Sequence, residues 1–107
     1  MELNHYSIVL VNLDPTTGSE IRKTRPCVII SPDEMNRFLR TIVIAPMTTT
    51  LKAYPTRVPV ESSGKKGMIV IDQVRTIDKQ RVLKVFDPLK QSEIDHCKEV
   101  LKETFVD

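Results

Sequence analysis

Apolar, mostly β-branched runs alternate with turn-forming residues along most of the chain: Ile8–Leu13, Cys27–Ile30, Thr41–Met47, Arg57–Val60, Met68–Ile71 and Val82–Phe86. Val and Ile suit a pleated, half-buried surface, and each run has the length of a strand rather than of a helix. Pro15, Pro32, Pro55, Pro59 and Pro88, with Gly18, Gly64 and Gly67, mark breaks or sheet edges. Closely spaced strands with only short helical pieces between them predict a small, strongly bent barrel or sandwich. Asp33–Arg37 has room for one helical turn. A helical period is clear only near the C-terminus, where Ile94, Cys97, Leu101 and Phe105 fall three or four apart. Ser92 is the expected N-cap of that helix, with Asp95 as a weak capping-box partner. The expected architecture is mainly β with a C-terminal α-helix, in a single domain over residues 1–107.

One polar segment interrupts this pattern. Between the first two apolar runs lies L-D-P-T-T-G-S-E-I-R-K-T-R-P, from Leu13 to Pro26. A hairpin needs two to five loop residues, so about ten is long and points to a working loop held out by a rigid sheet. It sets Glu20, Arg22, Lys23 and Arg25 beside Thr16, Thr17, Ser19 and Thr24, a composition suited to gripping an anion. Pro26 biases Arg25 toward an extended backbone, and the strand that follows anchors it. A guanidinium so held can fork onto two phosphate oxygens and keeps its charge at cellular pH; the alternative is a solvated surface arginine.

Three further polar groups sit against the strands. Thr48, Thr49 and Thr50 follow Pro46 at the end of a run, where their hydroxyls could meet a phosphate or satisfy turn backbone. Pro46 itself suggests a bend or an exposed edge. The segment Asp72–Asp78 holds Asp72, Gln73, Arg75, Thr76 and Asp78, where an Asp–Arg75 network bracing the barrel is as reasonable as a catalytic role. Lys52, Tyr54 and Arg57 place an aromatic ring among cations, an arrangement that could stack a base or merely cover the core edge.

Composition adds boundaries. The net charge of +2 is small, but residues 1–84 carry 13 Lys/Arg against 8 Asp/Glu, whereas residues 85–107 carry 3 against 6. A basic body with an acidic tail is weak support for a polyanionic partner. No apolar run approaches the roughly 18 residues of a membrane span, and the N-terminus lacks the pattern of a secretory signal. Cys27 and Cys97 read as buried thiols, which makes a cytoplasmic location the default. His5 and His96 stand apart without ligand spacing, so neither a metal nor another cofactor is expected. No P-loop, dinucleotide fingerprint or nucleophile motif is present.

Taken together and in order, these segments resemble the MazF/PemK family of toxin endoribonucleases. The matching stretches are V-N-L-D-P-T-T-G-S-E-I-R-K-T-R-P-C-V-I-I-S, N-R ahead of a strand ending I-A-P-M-T-T, Y-P-T-R-V-P-V, G-M-I-V-I-D-Q-V-R-T-I-D-K and R-V-L. The resemblance implies a small SH3-like barrel of the CcdB/MazF/PemK type, paired as a homodimer. It implies metal-independent cleavage of single-stranded RNA, leaving 2′,3′-cyclic phosphate and 5′-hydroxyl ends, and an acidic cognate antitoxin. Arg25 and Thr48 occupy the positions regarded as catalytic, and Glu20 is the candidate base. Thr16, Ser19, Arg22, Lys23, Thr49, Lys52, Tyr54, Arg57, Gln73 and Arg75 are the expected RNA-binding residues. A gyrase poison on the same barrel and a binder without activity are the rival readings.

The chain also departs from that family's pattern. Tyr6-Ser7 stands where members usually have Gly-Asp, Ser19 where some have His, and Val70 where some have Arg. Proton-transfer roles proposed for those His and Arg residues therefore do not transfer. Cleavage should lack a histidine-governed pH profile; a bell centred near about pH 6.5 and abolished by substituting His5 or His96 would contradict this.

Overall fold

A computed structural model describes residues 2–13, 24–62 and 64–106. Seven strands are described: β1 (Ser7–Asn12), β2 (Thr24–Ile29), β3 (Thr41–Thr48), β4 (Arg57–Ser62), β5 (Lys65–Val70), β6 (Arg75–Asp78) and β7 (Val82–Pro88). Helix α1 (Asp33–Phe38) joins β2 to β3, and helix α2 (Gln91–Phe105) ends the chain. The strands form one antiparallel, curled sheet in the order β4-β5-β3-β2-β1-β7, with β6 paired to β3 beside the β5 contact. This is the mainly β, barrel-type architecture with a C-terminal helix that the hydrophobic pattern predicts.

Strand alternation divides the interior into two clusters. Val9, Val11, Cys27, Ile29, Ile42, Ile44, Ile77 and Val82 make one. Ile8, Val28, Ala45, Val58, Val60, Ile69 and Ile71 make the other, and Cys97 and Val100 of α2 pack on it. Phe105 is 55% exposed, so the inner stripe of α2 runs through Val100 rather than ending at Phe105. The expected Ser92 cap is not used either. Helix α2 begins one residue before Ser92, and Lys90 is its N-cap. Glu93 supplies the cap, with Oε1 accepting from the Lys90 N–H at 2.9 Å and Oε2 from the Glu61 N–H of β4, also at 2.9 Å. One carboxylate therefore fixes both the helix start and its seat against an edge strand. Serine and aspartate are good caps in general, but only the longer glutamate spans both backbones.

The expected strand pattern does not include β6, because Asp72–Asp78 contains few apolar residues. Ile71–Gln73 forms a 3₁₀ turn, and β6 then buries only Ile77 against β3. The suggested Asp–Arg75 brace is not made: Asp72 accepts from the Thr56 hydroxyl at 2.8 Å, and Asp78 accepts from the Gln80 N–H at 2.8 Å. Pro46 also lies at neither a bend nor an edge. It is buried in β3 where the partner strand changes from β6, which pairs with Thr41–Ile44, to β5, which pairs with Met47 and Thr48. A missing N–H at that gap costs no ladder bond. Pro59 and Pro88, by contrast, do lie on the end strands β4 and β7.

Two local features hold the approach to β3. Asn36 of α1 is buried, donating to the Ser31 carbonyl at 2.9 Å and accepting from the Ser31 hydroxyl, which in turn accepts from the Val43 N–H at 3.0 Å. The asparagine of the N-R pair is thus a structural tie. Tyr6 has a φ of 66°. A non-glycine residue there costs about 1–2 kcal/mol. Burial of its ring, of similar magnitude, and bonds from the Tyr6 N–H to Ile29 O and from the Leu89 N–H to Tyr6 O hold it in place.

Replacing Glu93 with Ala should destabilise the fold by about 2 kcal/mol, and Glu93→Gln by roughly half that, because the amide keeps one acceptor. Urea unfolding midpoints, read with unchanged slopes, measure the difference; equal losses from both variants would show that the double acceptance is not what matters.

Candidate active site

The register between β2 and β3 builds the site. Cys27 pairs with Pro46, Val28 with Ala45 and Ile29 with Ile44. The described pairing ends at Cys27–Pro46, so Arg25 on β2 and Thr48 on β3 each lie two residues beyond it. The two groups that sequence nominates from distant segments thus sit near the same ends of neighbouring strands.

Each is held differently. Arg25 is half-buried, and its guanidinium has no hydrogen-bond or ion-pair partner among the described residues. Thr48 Oγ1 accepts from the Thr50 N–H at 3.2 Å, the local turn bond expected of such threonines. That contact occupies a lone pair and leaves the hydroxyl proton available to donate. Behind Thr48, a Cβ added to Gly67 would come within 3.1 Å of the Thr48 carbonyl oxygen. Glycine at that place on β5 therefore lets the two backbones approach and sets the height of Thr48 in the sheet.

Arg25 and Thr48 border a groove of about 770 Å³. Ile8, Pro26 and Met47, from the opposite strand face, also line it, so the groove wraps round the ends of β2 and β3 with the pair at its rim. Thr49 lies on the same rim. Arg75, opposite Ile44 on β6, shares a local field with Arg25: both guanidiniums pull down on the Cys27 thiol, but burial outweighs them and pushes it up to about 12. Cys97 is likewise pushed up to about 12, chiefly by burial and secondly by Glu93. Both thiols are free, buried and protonated at neutral pH, so neither is a nucleophile. His5 and His96 do not line the groove. Burial lowers the pKa of His5, whose ring stacks on Tyr6 with centroids 3.7 Å apart.

Most of the other nominated residues fall into two sets. Thr16, Ser19, Glu20, Arg22 and Lys23 lie outside the described residues. Lys52, Tyr54, Arg57 and Gln73 do not line the groove; Tyr54 is half exposed, with the Arg57 guanidinium 4.9 Å from its ring centroid. Lys65, Lys66, Phe86 and Asp87 do line it, and sequence reasoning passes over them. The available signal is G-K-K at a hairpin turn, two adjacent cations directly after a glycine that otherwise reads only as punctuation.

The site is thus a groove on a curled antiparallel sheet, bordered by an arginine and a hydroxyl and lined in part by two lysines. The sequence matches the family profile described as PemK-like, MazF-like toxin of type II toxin-antitoxin system over residues 4–105. The chain therefore belongs to that toxin family. It is 31% identical over 102 residues to an Endoribonuclease MazF of Staphylococcus epidermidis, covering 87% of this chain and 85% of that one. It is 36% identical over 81 residues to an Endoribonuclease MazF of Staphylococcus saprophyticus, covering 70% and 68%. MazF in a MazE-MazF crystal structure from Deinococcus radiodurans superposes with a TM-score of 0.86 at 21% identity, covering 99% of this chain and 97% of that one.

Gly67→Ala should leave the fold nearly as stable but shift Thr48 by a few tenths of an ångström, lowering kcat by about tenfold with little change in KM. A crystal structure of the variant paired with steady-state kinetics tests this; unaltered kcat with a displaced Thr48 would remove Thr48 from the chemistry.

Proposed function

We propose that this chain is an endoribonuclease toxin that cuts single-stranded mRNA internally, in the cytoplasm, as a homodimer restrained by an acidic antitoxin. The observation that carries the reading is the convergence of Arg25 and Thr48 on one rim of one groove. The names of the staphylococcal relatives support the activity, and the Deinococcus radiodurans complex supports an antitoxin partner. Two copies would cover sheet surface that one barrel leaves open and lengthen the groove.

The chemistry follows from what the substrate brings. The ribose 2′-oxygen attacks the adjacent phosphorus, the P–O5′ bond breaks, and a 2′,3′-cyclic phosphate and a 5′-hydroxyl result. The 2′-hydroxyl proton passes to a base, and the departing 5′-oxygen gains one. The protein supplies no nucleophile; it aligns the reacting atoms and stabilises charge on the equatorial oxygens. Arg25 supplies fixed positive charge. A guanidinium is a poor proton donor, so electrostatic stabilisation is its role. Thr48 donates its hydroxyl proton to a phosphate oxygen while the Thr50 N–H holds the oxygen in place. Glu20, in the loop that ends at Arg25, is the base.

Arg25→Ala should lower kcat by about 10²–10³-fold and Thr48→Ala by about 10- to 100-fold, with Thr48→Ser largely active. Long single-stranded RNA incubated with excess chelator and each protein provides the test. Discrete fragments with 5′-hydroxyl ends from the unaltered chain, absent with Arg25→Ala, are expected. Intact RNA, with gyrase–DNA complexes trapped instead, would replace this reading with that of a gyrase poison.

A further inference from the structure

The catalytic pair uses only the rim of the groove; its walls have chemistry of their own. One wall is the β4–β5 hairpin, which brings Lys65 and Lys66. Both lysines are exposed, and neither has an ion-pair partner among the described residues. β7 contributes Phe86 and Asp87 to the same lining. Phe86 is 39% exposed, and the Lys84 ammonium, itself outside the lining, lies 5.4 Å from its ring centroid. Ile8, Pro26 and Met47 add apolar surface to the groove.

Resting on the endoribonuclease reading, we propose that this groove is a subsite for the nucleotide next to the scissile phosphate, with its base on Phe86 and its own phosphate at Lys65 and Lys66. Three features select a nucleotide over other occupants. The groove is continuous with the Arg25–Thr48 rim, so a chain threaded past that pair enters it. Its lining is mixed: Lys65 and Lys66 attract a phosphate, whereas Asp87 repels one. Apolar and aromatic lining suits a flat base, since every base offers a π-face and stacking needs no particular sequence. Asp87 is the lining group able to accept from an exocyclic amino group, the type of interaction by which a carboxylate reads a base edge.

The test separates this subsite from the catalytic reading by measuring binding apart from cleavage. The probe is a random-sequence oligoribonucleotide methylated at every 2′-oxygen, which cannot be cut by internal attack. Lys65→Gln/Lys66→Gln should weaken its binding and reduce the log–log salt slope by about 0.7 for each phosphate no longer neutralised. Phe86→Leu, which keeps the side chain apolar, should weaken binding about tenfold with the salt slope unchanged. Lys98→Gln/Lys102→Gln on α2 is the charge-matched control and should leave the slope unchanged. On cleavable RNA both groove variants should raise KM with kcat retained. If the α2 control flattens the slope as much as the hairpin variant, net charge explains the effect and the subsite is overturned. Unchanged binding in both groove variants overturns it equally and leaves an antitoxin segment as the rival occupant. An unaltered chain that binds through Lys65, Lys66 and Phe86 but cuts nothing would uphold the subsite and refute the nuclease.

Discussion

The pairing of β2 with β3 is the constraint on which the site depends. Three backbone pairs fix the offset and the place of Pro46, and Arg25 and Thr48, two residues beyond the last pair, border one groove. A slip of one residue would send Arg25 to the other face of the sheet, because side chains alternate along a strand. The register is well defended. Cys27, Val28, Ile29, Ile44 and Ala45 are all fully buried, so a slip would expose apolar groups on one face and bury polar ones on the other. Asn36 and Ser31 add a polar tie across the connection between the two strands.

Packing density is converted into catalytic geometry at the opposite side of β3. There β5 approaches so closely that a Cβ at Gly67 would press on the Thr48 carbonyl. β5 in turn pairs with β4, which Glu93 ties to the start of α2. The C-terminal helix, far along the chain from any reacting group, is therefore coupled through two strands to the position of one hydroxyl. Side chains on strand ends are held more firmly than those on loops, which suits a reaction whose rate depends on alignment.

Fold class was legible because strand-length apolar runs and a single helical period are strong signals. All six runs became strands, including Arg57–Val60 with its proline, which the end position of β4 tolerates. Strand β6 was not legible, since only Ile77 among its residues is buried. The α2 cap was illegible for a related reason: Glu93 answers the need to reach β4, a tertiary demand that no local rule encodes. Arg25 and Thr48 could be nominated from the R-P pair and the threonines after Pro46, but only the fold brings them to one groove. Lys65, Lys66 and Phe86 come from separate segments and share a groove only because the sheet curls, so periodicity could not join them.

The electrostatics of the site favour a reaction driven by fixed charge. The described thiols are held protonated by burial, and the histidines lie off the groove. Guanidinium groups carry fixed charge. Among the described residues the groove lining holds no thiol or imidazole to act as a nucleophile. On the proposed reading the substrate brings its own nucleophile next to an anionic electrophile, an arrangement RNA has at every internal phosphodiester. Chemistry alone would then permit cleavage anywhere along a strand. On that reading discrimination falls to binding next to the reacting bond, where apolar side chains, two lysines and a carboxylate line the groove.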